Sequence, residues 1–78
     1  MYNERMVMQQ VAEREMRNNK DVLYDYDIIK GLYTGICKIL HISYNPTFRS
    51  FDLVLKDINT NNIMCISRCS VNLKRRAK

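Results

Sequence analysis

No stretch of this sequence is apolar for the roughly 18 residues that a membrane helix needs. The first twenty residues, MYNERMVMQQVAEREMRNNK, are charged throughout and lack the apolar core of a secretory signal. Repeats, linkers and low-complexity tracts are absent. So are a glycine-rich phosphate loop, an acidic pair, and a third group to orient a Cys–His nucleophile and base. Glycine occurs twice, histidine once, and cysteine three times. An odd cysteine count leaves a thiol over from any set of internal disulfides. These absences point away from secreted, membrane-spanning and catalytic proteins. The expectation is a non-enzymatic protein of the cytoplasm and nucleus, with reduced thiols and no cofactor.

The few ligand-type residues fall into two pairs, Cys37 with His41 and Cys65 with Cys69. On a helix, residues four apart could converge on one zinc ion, whose donors lie about 2.0–2.3 Å away. On a strand the same spacing separates them by about 13 Å. Residues 36–44 are rich in β-branched and aromatic types, so strands, and no metal site, are expected.

What is present fits one small domain spanning residues 1–78. Apolar residues make up 46% of the chain, ordinary for a globular protein. A domain of this size buries only about 60% of its unfolded surface, which favours a partner subunit. The net charge is +5, and Lys74, Arg75, Arg76 and Lys78 concentrate it in LKRRAK. Such a segment attracts nucleic acid or simply solvates.

Val7, Met8, Val11, Ala12 and Met16 share one face of a helix over about 3–18. Asn3 suits its N-cap, Glu13 and Arg17 can pair at i, i+4 on its outer side, and NNKD ends it. The stripe suits packing on the domain's own sheet or docking to a partner helix. Gly31 and Gly35 would each cost a helix about 1 kcal/mol, so the next segments read as strands over 22–29 and 32–44, around a Lys30–Gly31 turn. Ile36, Leu40, Ile42 and Tyr44 fall on one parity. NPT (45–47) turns, FDLVLKDI alternates as a half-buried strand, and NTNN (59–62) closes a hairpin. IMCIS and VNLKR are two short strands around the corner Arg68-Cys69-Ser70.

With strands in place, KGLYTGICKI (30–39) resembles the first half of the Sm motif, and FDLVLKDI (51–58) its second half. IMCISRCSVNL (63–73) resembles the second Sm motif. The resemblance implies a mostly β fold: an N-terminal helix, then a five-stranded, strongly bent antiparallel Sm-like (SH3-like) barrel over about 22–75. Gly31 would serve the tight turn and Gly35 the bend of the long strand. The match departs at the family's RNA-base pocket. Asp52 stands in place of its Asn and Cys69 in place of its Gly, although Arg68 is kept. The loop between Gly35 and Asp52 is several residues longer than usual for the family and lacks its Asp–x–aromatic–x–Asn spacing.

The SRCS corner and the preceding helix are most similar to the Sm-fold Gemins of the survival-of-motor-neuron (SMN) complex. GLYTGICK is also similar to the Lsm domain of ataxin-2-type proteins. The Gemin resemblance implies a scaffold in snRNP assembly, and so in mRNA splicing. It would pair with another Gemin-like Sm-fold subunit by strand addition, and reach Sm proteins or RNA indirectly. The implied interface is Ile63, Met64, Cys65, Ile66 and Ser67 on one strand, and Val71, Asn72, Leu73 and Lys74 on the next. The helix stripe Val7, Met8, Val11, Ala12 and Met16 joins it. The alternative is an RNA-binding Lsm-type protein, contacting RNA through Arg68 and the tail residues Arg75 and Arg76.

Overall fold

Helix α1 (Glu4–Asn18) starts where expected. The Asn3 side chain accepts the Met6 N–H at 3.3 Å, and the helix carries Glu4 in its first turn and Arg17 in its last, both matched to the helix dipole. It stops at Asn19, whose backbone N–H and side-chain amide both donate to the Glu15 carbonyl. Left-handed Asp21 (φ 65°) then turns the chain into the sheet. The computed structural model describes residues 3–28, 31 and 33–76. Ile29, Lys30, Leu32 and Lys78, each part of a sequence reading above, lie outside the described residues.

The strands are β1 (Leu23–Ile28), β2 (Tyr33–Asn45), β3 (Ser50–Asp57), β4 (Ile63–Ser67) and β5 (Val71–Arg75), with a 3-10 turn at Arg68–Ser70 before β5. All pairings are antiparallel, in the order β4-β3-β2-β1-β5. Strand β2 serves two partners. Residues 33–38 pair with β1 and residues 37–45 with β3, so the two sets overlap only at Cys37 and Lys38.

Between Ile39 and His41 the register slips, which makes Leu40 the extra residue of a β-bulge. A bulge switches which alternate residues face inward. Cys37 and Ile39 pack toward the core before it, and Ile42 and Tyr44 are buried after it. The single parity expected for Ile36, Leu40, Ile42 and Tyr44 therefore holds only for the last two. Leu40 is exposed, and Ile36 is half-buried.

The expected barrel does not close. Strands β4 and β5 are the two ends of the sheet and do not pair with each other. A flat five-stranded sheet would hold its edges about 19 Å apart. Yet only Arg68–Ser70 connect them, and a 3-10 turn advances about 2 Å per residue. The sheet must curl strongly to bring both ends to one corner, while its two edges stay separate. The β2–β3 connection is a four-residue turn, Pro46 to Arg49, in which Asn45 Oδ1 accepts the Thr47 N–H at 3.0 Å. The sequence length between Gly35 and Asp52 thus goes into strand rather than loop.

Ala12, Tyr26, Ile28, Cys37, Ile42, Leu53, Leu55 and Val71 form the core, with Met16, Met64, Ile66 and Leu73 packed against it. No helix among the described residues is long and apolar enough to cross a membrane.

Candidate strand-addition interface

The free edges can be read atom by atom from the ladders. The Asp57 N–H donates to the Asn62 carbonyl at 2.9 Å, in register with the β3–β4 pairs. Bonded and non-bonded pairs alternate along an antiparallel ladder. Met64 and Ile66 therefore bond β3, and Ile63, Cys65 and Ser67 direct their N–H and C=O groups away from the sheet. On the other edge, the Arg76 N–H donates to the Leu23 carbonyl at 3.0 Å. By the same alternation Lys74 and Asn72 bond β1, and Val71, Leu73 and Arg75 face outward. The Val71 carbonyl accepts from Arg68 Nη1 at 3.1 Å, as an outward carbonyl can.

Side chains on these strands divide differently from their backbones. Ile63 and Cys65 are exposed, whereas Met64 and Ile66 pack on the core. Ser67 is half-buried, its hydroxyl 3.4 Å from that of Ser50. The Val71 side chain is 3% exposed. It belongs to the core, and only its backbone can serve an interface. Leu73 is half-buried, while Asn72, Lys74, Arg75 and Arg76 are exposed.

The helix stripe also divides. Ala12, expected at an interface, is 1% exposed and sits in the core, because α1 packs across β2 and only a small residue lets the backbones approach. Met16 packs against the same core, and Met8 and Val11 are half-buried. Val7 remains open to solvent, next to the exposed Met6. Between α1 and the sheet lies a cleft of about 390 Å³, lined by Val11, Ile42, Leu53 and Leu73 with Arg68 among the polar residues.

Of the cations singled out for RNA, Arg68 is bonded to Val71 and Arg76 Nη1 lies 3.3 Å from Asp25 Oδ1. Asp52 accepts from the Asn45 side-chain amide at 3.2 Å. Cys69 is exposed in the 3-10 turn, and its N–H donates to Ser67 Oγ.

Cys37 is fully buried, whereas His41, beyond the bulge, is exposed. Among the described residues no group of three or more Cys, His, Asp or Glu gathers. In the folded protein a thiol reagent is expected to modify the exposed Cys65 and Cys69 rapidly, and Cys37 only after denaturation. Burial pushes the Cys37 thiol up to about 11, which slows it further because the thiolate is the nucleophile. Counting thiols released with and without denaturant checks this, and three fast thiols would contradict it.

Sequence reasoning missed Asp57, the one buried carboxylate among the described residues. It is 5% exposed, accepts the Tyr26 hydroxyl at 2.5 Å, and accepts the Asn59 and Thr60 N–H groups at 2.8 and 3.0 Å. It thereby ties β1 to the β3–β4 hairpin. Tyr26 pairs in register with Gly35, and its ring reaches Asp57 only because Gly35 has no side chain. A Cβ there would stand 2.6 Å from Asp57 Oδ2 and 2.9 Å from the Tyr26 ring. The readable signal was the Asp57–Asn59 segment, which matches an Asx turn. The Tyr26 partner, 31 residues away, left no local signal.

The site sets a pH dependence. The Tyr26 hydrogen bond, with those from Thr60 and Asn59, holds the Asp57 carboxyl below its ordinary range. The same bond, then burial, pushes Tyr26 up to about 12. A depressed carboxyl stabilises the fold above its unfolded value, and that share is lost as pH falls through the folded value. For Tyr26 and Cys37 the unfolded chain loses its protons first. Stability should then fall as pH rises from the ordinary thiol value of 9.0 toward 12. Urea midpoints across pH 2–12 should form a plateau with losses at both ends, and Tyr26→Phe should weaken the alkaline loss.

No protein-family model, curated protein or solved structure matches this chain.

Proposed function

We propose that this chain is a non-catalytic Sm-fold scaffold subunit of SMN-type snRNP assembly, most similar to the seventh Gemin. It pairs with another Sm-like subunit by strand addition and works in cytoplasm and nucleus. The observation that carries this reading is the open sheet with β4 and β5 as its two unpaired edges. Each edge offers alternating outward donors and acceptors, a template for a further strand. The small core of a 78-residue chain agrees with a partner-dependent subunit. These strands are the ones through which neighbouring Sm subunits join, so the reading rests on the motif resemblance together with the edges.

The second reading, an RNA-binding Lsm-type protein, draws on the exposed Lys74 and Arg75 and the net charge of +5. It is disfavoured by the carboxylate at Asp52 and by the engagement of Arg68 and Arg76 within the chain. Affinity capture from the native cell separates the two. Recovery of Sm-fold subunits after nuclease treatment supports the scaffold. Nuclease-sensitive recovery, with tight binding to uridine-rich RNA in a mobility shift, supports the alternative.

A further inference from the structure

The two edges differ in charge, and the difference specifies a partner. Strand β4, IMCIS, carries no charged residue. Strand β5, VNLKR, carries Lys74 and Arg75 and is followed by Arg76. On its paired side β5 meets β1, LYDYDI, which alternates apolar and acidic residues. Tyr26 and Ile28 face the core beside Leu73 and Val71, while Asp25 and Asp27 stand opposite Lys74 and Asn72.

Those carboxylates are already engaged. Asp25 is held by Arg76 at 3.3 Å, and Asp27 Oδ1 accepts the Gly31 N–H at 2.6 Å. Among the described residues Arg76–Asp25 is the only ion pair, so Lys74 and Arg75 have no carboxylate in contact. The free edge of β5 is therefore a ladder flanked by positive charge, and its Lys74 and Arg75 form no ion pair among the described residues. Arg68 already occupies the Val71 carbonyl, leaving the outward groups of Leu73 and Arg75 as the open part of that ladder.

A second copy of this chain answers the charge poorly. Its β4 brings no carboxylate, and its β5 sets one basic strand beside another, which is unfavourable. We infer that the strand completing the β5 edge comes from a different chain and alternates apolar with acidic residues, as β1 does. Its apolar side chains lie beside Val71 and Leu73, and its carboxylates lie beside Lys74. This inference rests on the strand-addition reading above and names the chemistry of the partner at one of the two edges.

The test uses the isotopically labelled full chain and two synthetic peptides. One copies residues 23–28, and the other carries lysine in place of both aspartates. Amide shifts and hydrogen exchange at Leu73 and Arg75 report binding at the β5 edge, and unchanged β1 amides exclude exchange of the peptide for the resident strand. The acidic peptide is expected to bind about tenfold more tightly than the lysine peptide at low salt. The gap should shrink in about 0.5 M salt, and Lys74→Glu should invert the preference. Equal binding of both peptides at β5 would overturn the acidic preference and leave strand addition standing. Failure of both to touch β5, or replacement of β1 by either, would overturn strand addition at the β5 edge and this inference together.

Discussion

Gly35→Ala is expected to destabilise the fold by about 3 kcal/mol, combining overpacking with disruption of a buried hydrogen-bonded carboxylate. The added methyl group would stand 2.6 Å from Asp57 Oδ2 and 2.9 Å from the Tyr26 ring and hydroxyl. Neither neighbour can swing aside cheaply. Asp57 is fixed by the Tyr26 hydroxyl and two backbone N–H groups, and Tyr26 is itself buried. Any relief breaks bonds to a carboxylate that water barely reaches. Gly31→Ala provides the contrast. Its φ of +88° is strained for an L residue, but nothing lies within 4 Å of the new Cβ. Backbone strain alone should cost about 1–2 kcal/mol. Urea unfolding of both variants, with unchanged denaturant slopes, measures the difference. Equal losses would mean that the close approach over Gly35 does not constrain the fold.

Cys65→Pro is expected to weaken association at the β4 edge while leaving the chain folded. The Cys65 side chain is exposed, and the ladder alternation directs its N–H outward. Proline there removes a donor that the domain itself does not use, the setting in which edge strands tolerate it. A strand added from a partner would lose a ladder hydrogen bond, leave its carbonyl unpaired and meet the ring, at a cost of about 1–3 kcal/mol. That is about five- to a hundredfold in affinity. Cys65→Thr keeps the N–H and a β-branched shape and should bind nearly as the parent does. Sedimentation of mixed subunits, with circular dichroism to confirm folding, compares the pair. Val71 is a poor place for this substitution. Its side chain is core, so a lost complex there could not be told from a lost fold.

The helix and the succession of strands along the chain were legible because local chemistry marks them. Asn3 caps α1 and Asn19 ends it. The β-branched segments became strands, and NTNN became a turn with Asn61 left-handed at φ 63°. The bulge at Leu40 was not legible, since neither glycine nor proline marks it. It arises because β2 must satisfy β1 and β3 in succession. That hidden slip is why alternation correctly placed Ile42 and Tyr44 but not Ile36 and Leu40.

The interface was legible only by strand. Which backbone groups face outward depends on register, and register depends on the Asp57–Asn62 and Arg76–Leu23 bonds. Hydrophobic pattern alone could not separate Val71, whose side chain is buried, from Ile63, whose side chain is exposed. Ala12 fitted the helix stripe equally well as core or as interface, and the packing of α1 on β2 decides for core. Whether a curled sheet closes depends on its two end strands meeting, which no local pattern encodes.

Residue-resolved amide hydrogen exchange, on the chain alone and bound to an Sm-fold subunit, tests the edge assignment most directly. In the free chain the amides of Ile63, Cys65 and Ser67, and of Leu73 and Arg75, should exchange quickly, while those of Met64 and Ile66 are protected. On binding, one of the two outward sets should become protected in alternation with its neighbours. A stable complex that leaves both sets fast, and instead protects the exposed surface of α1 around Val7, would contradict strand addition.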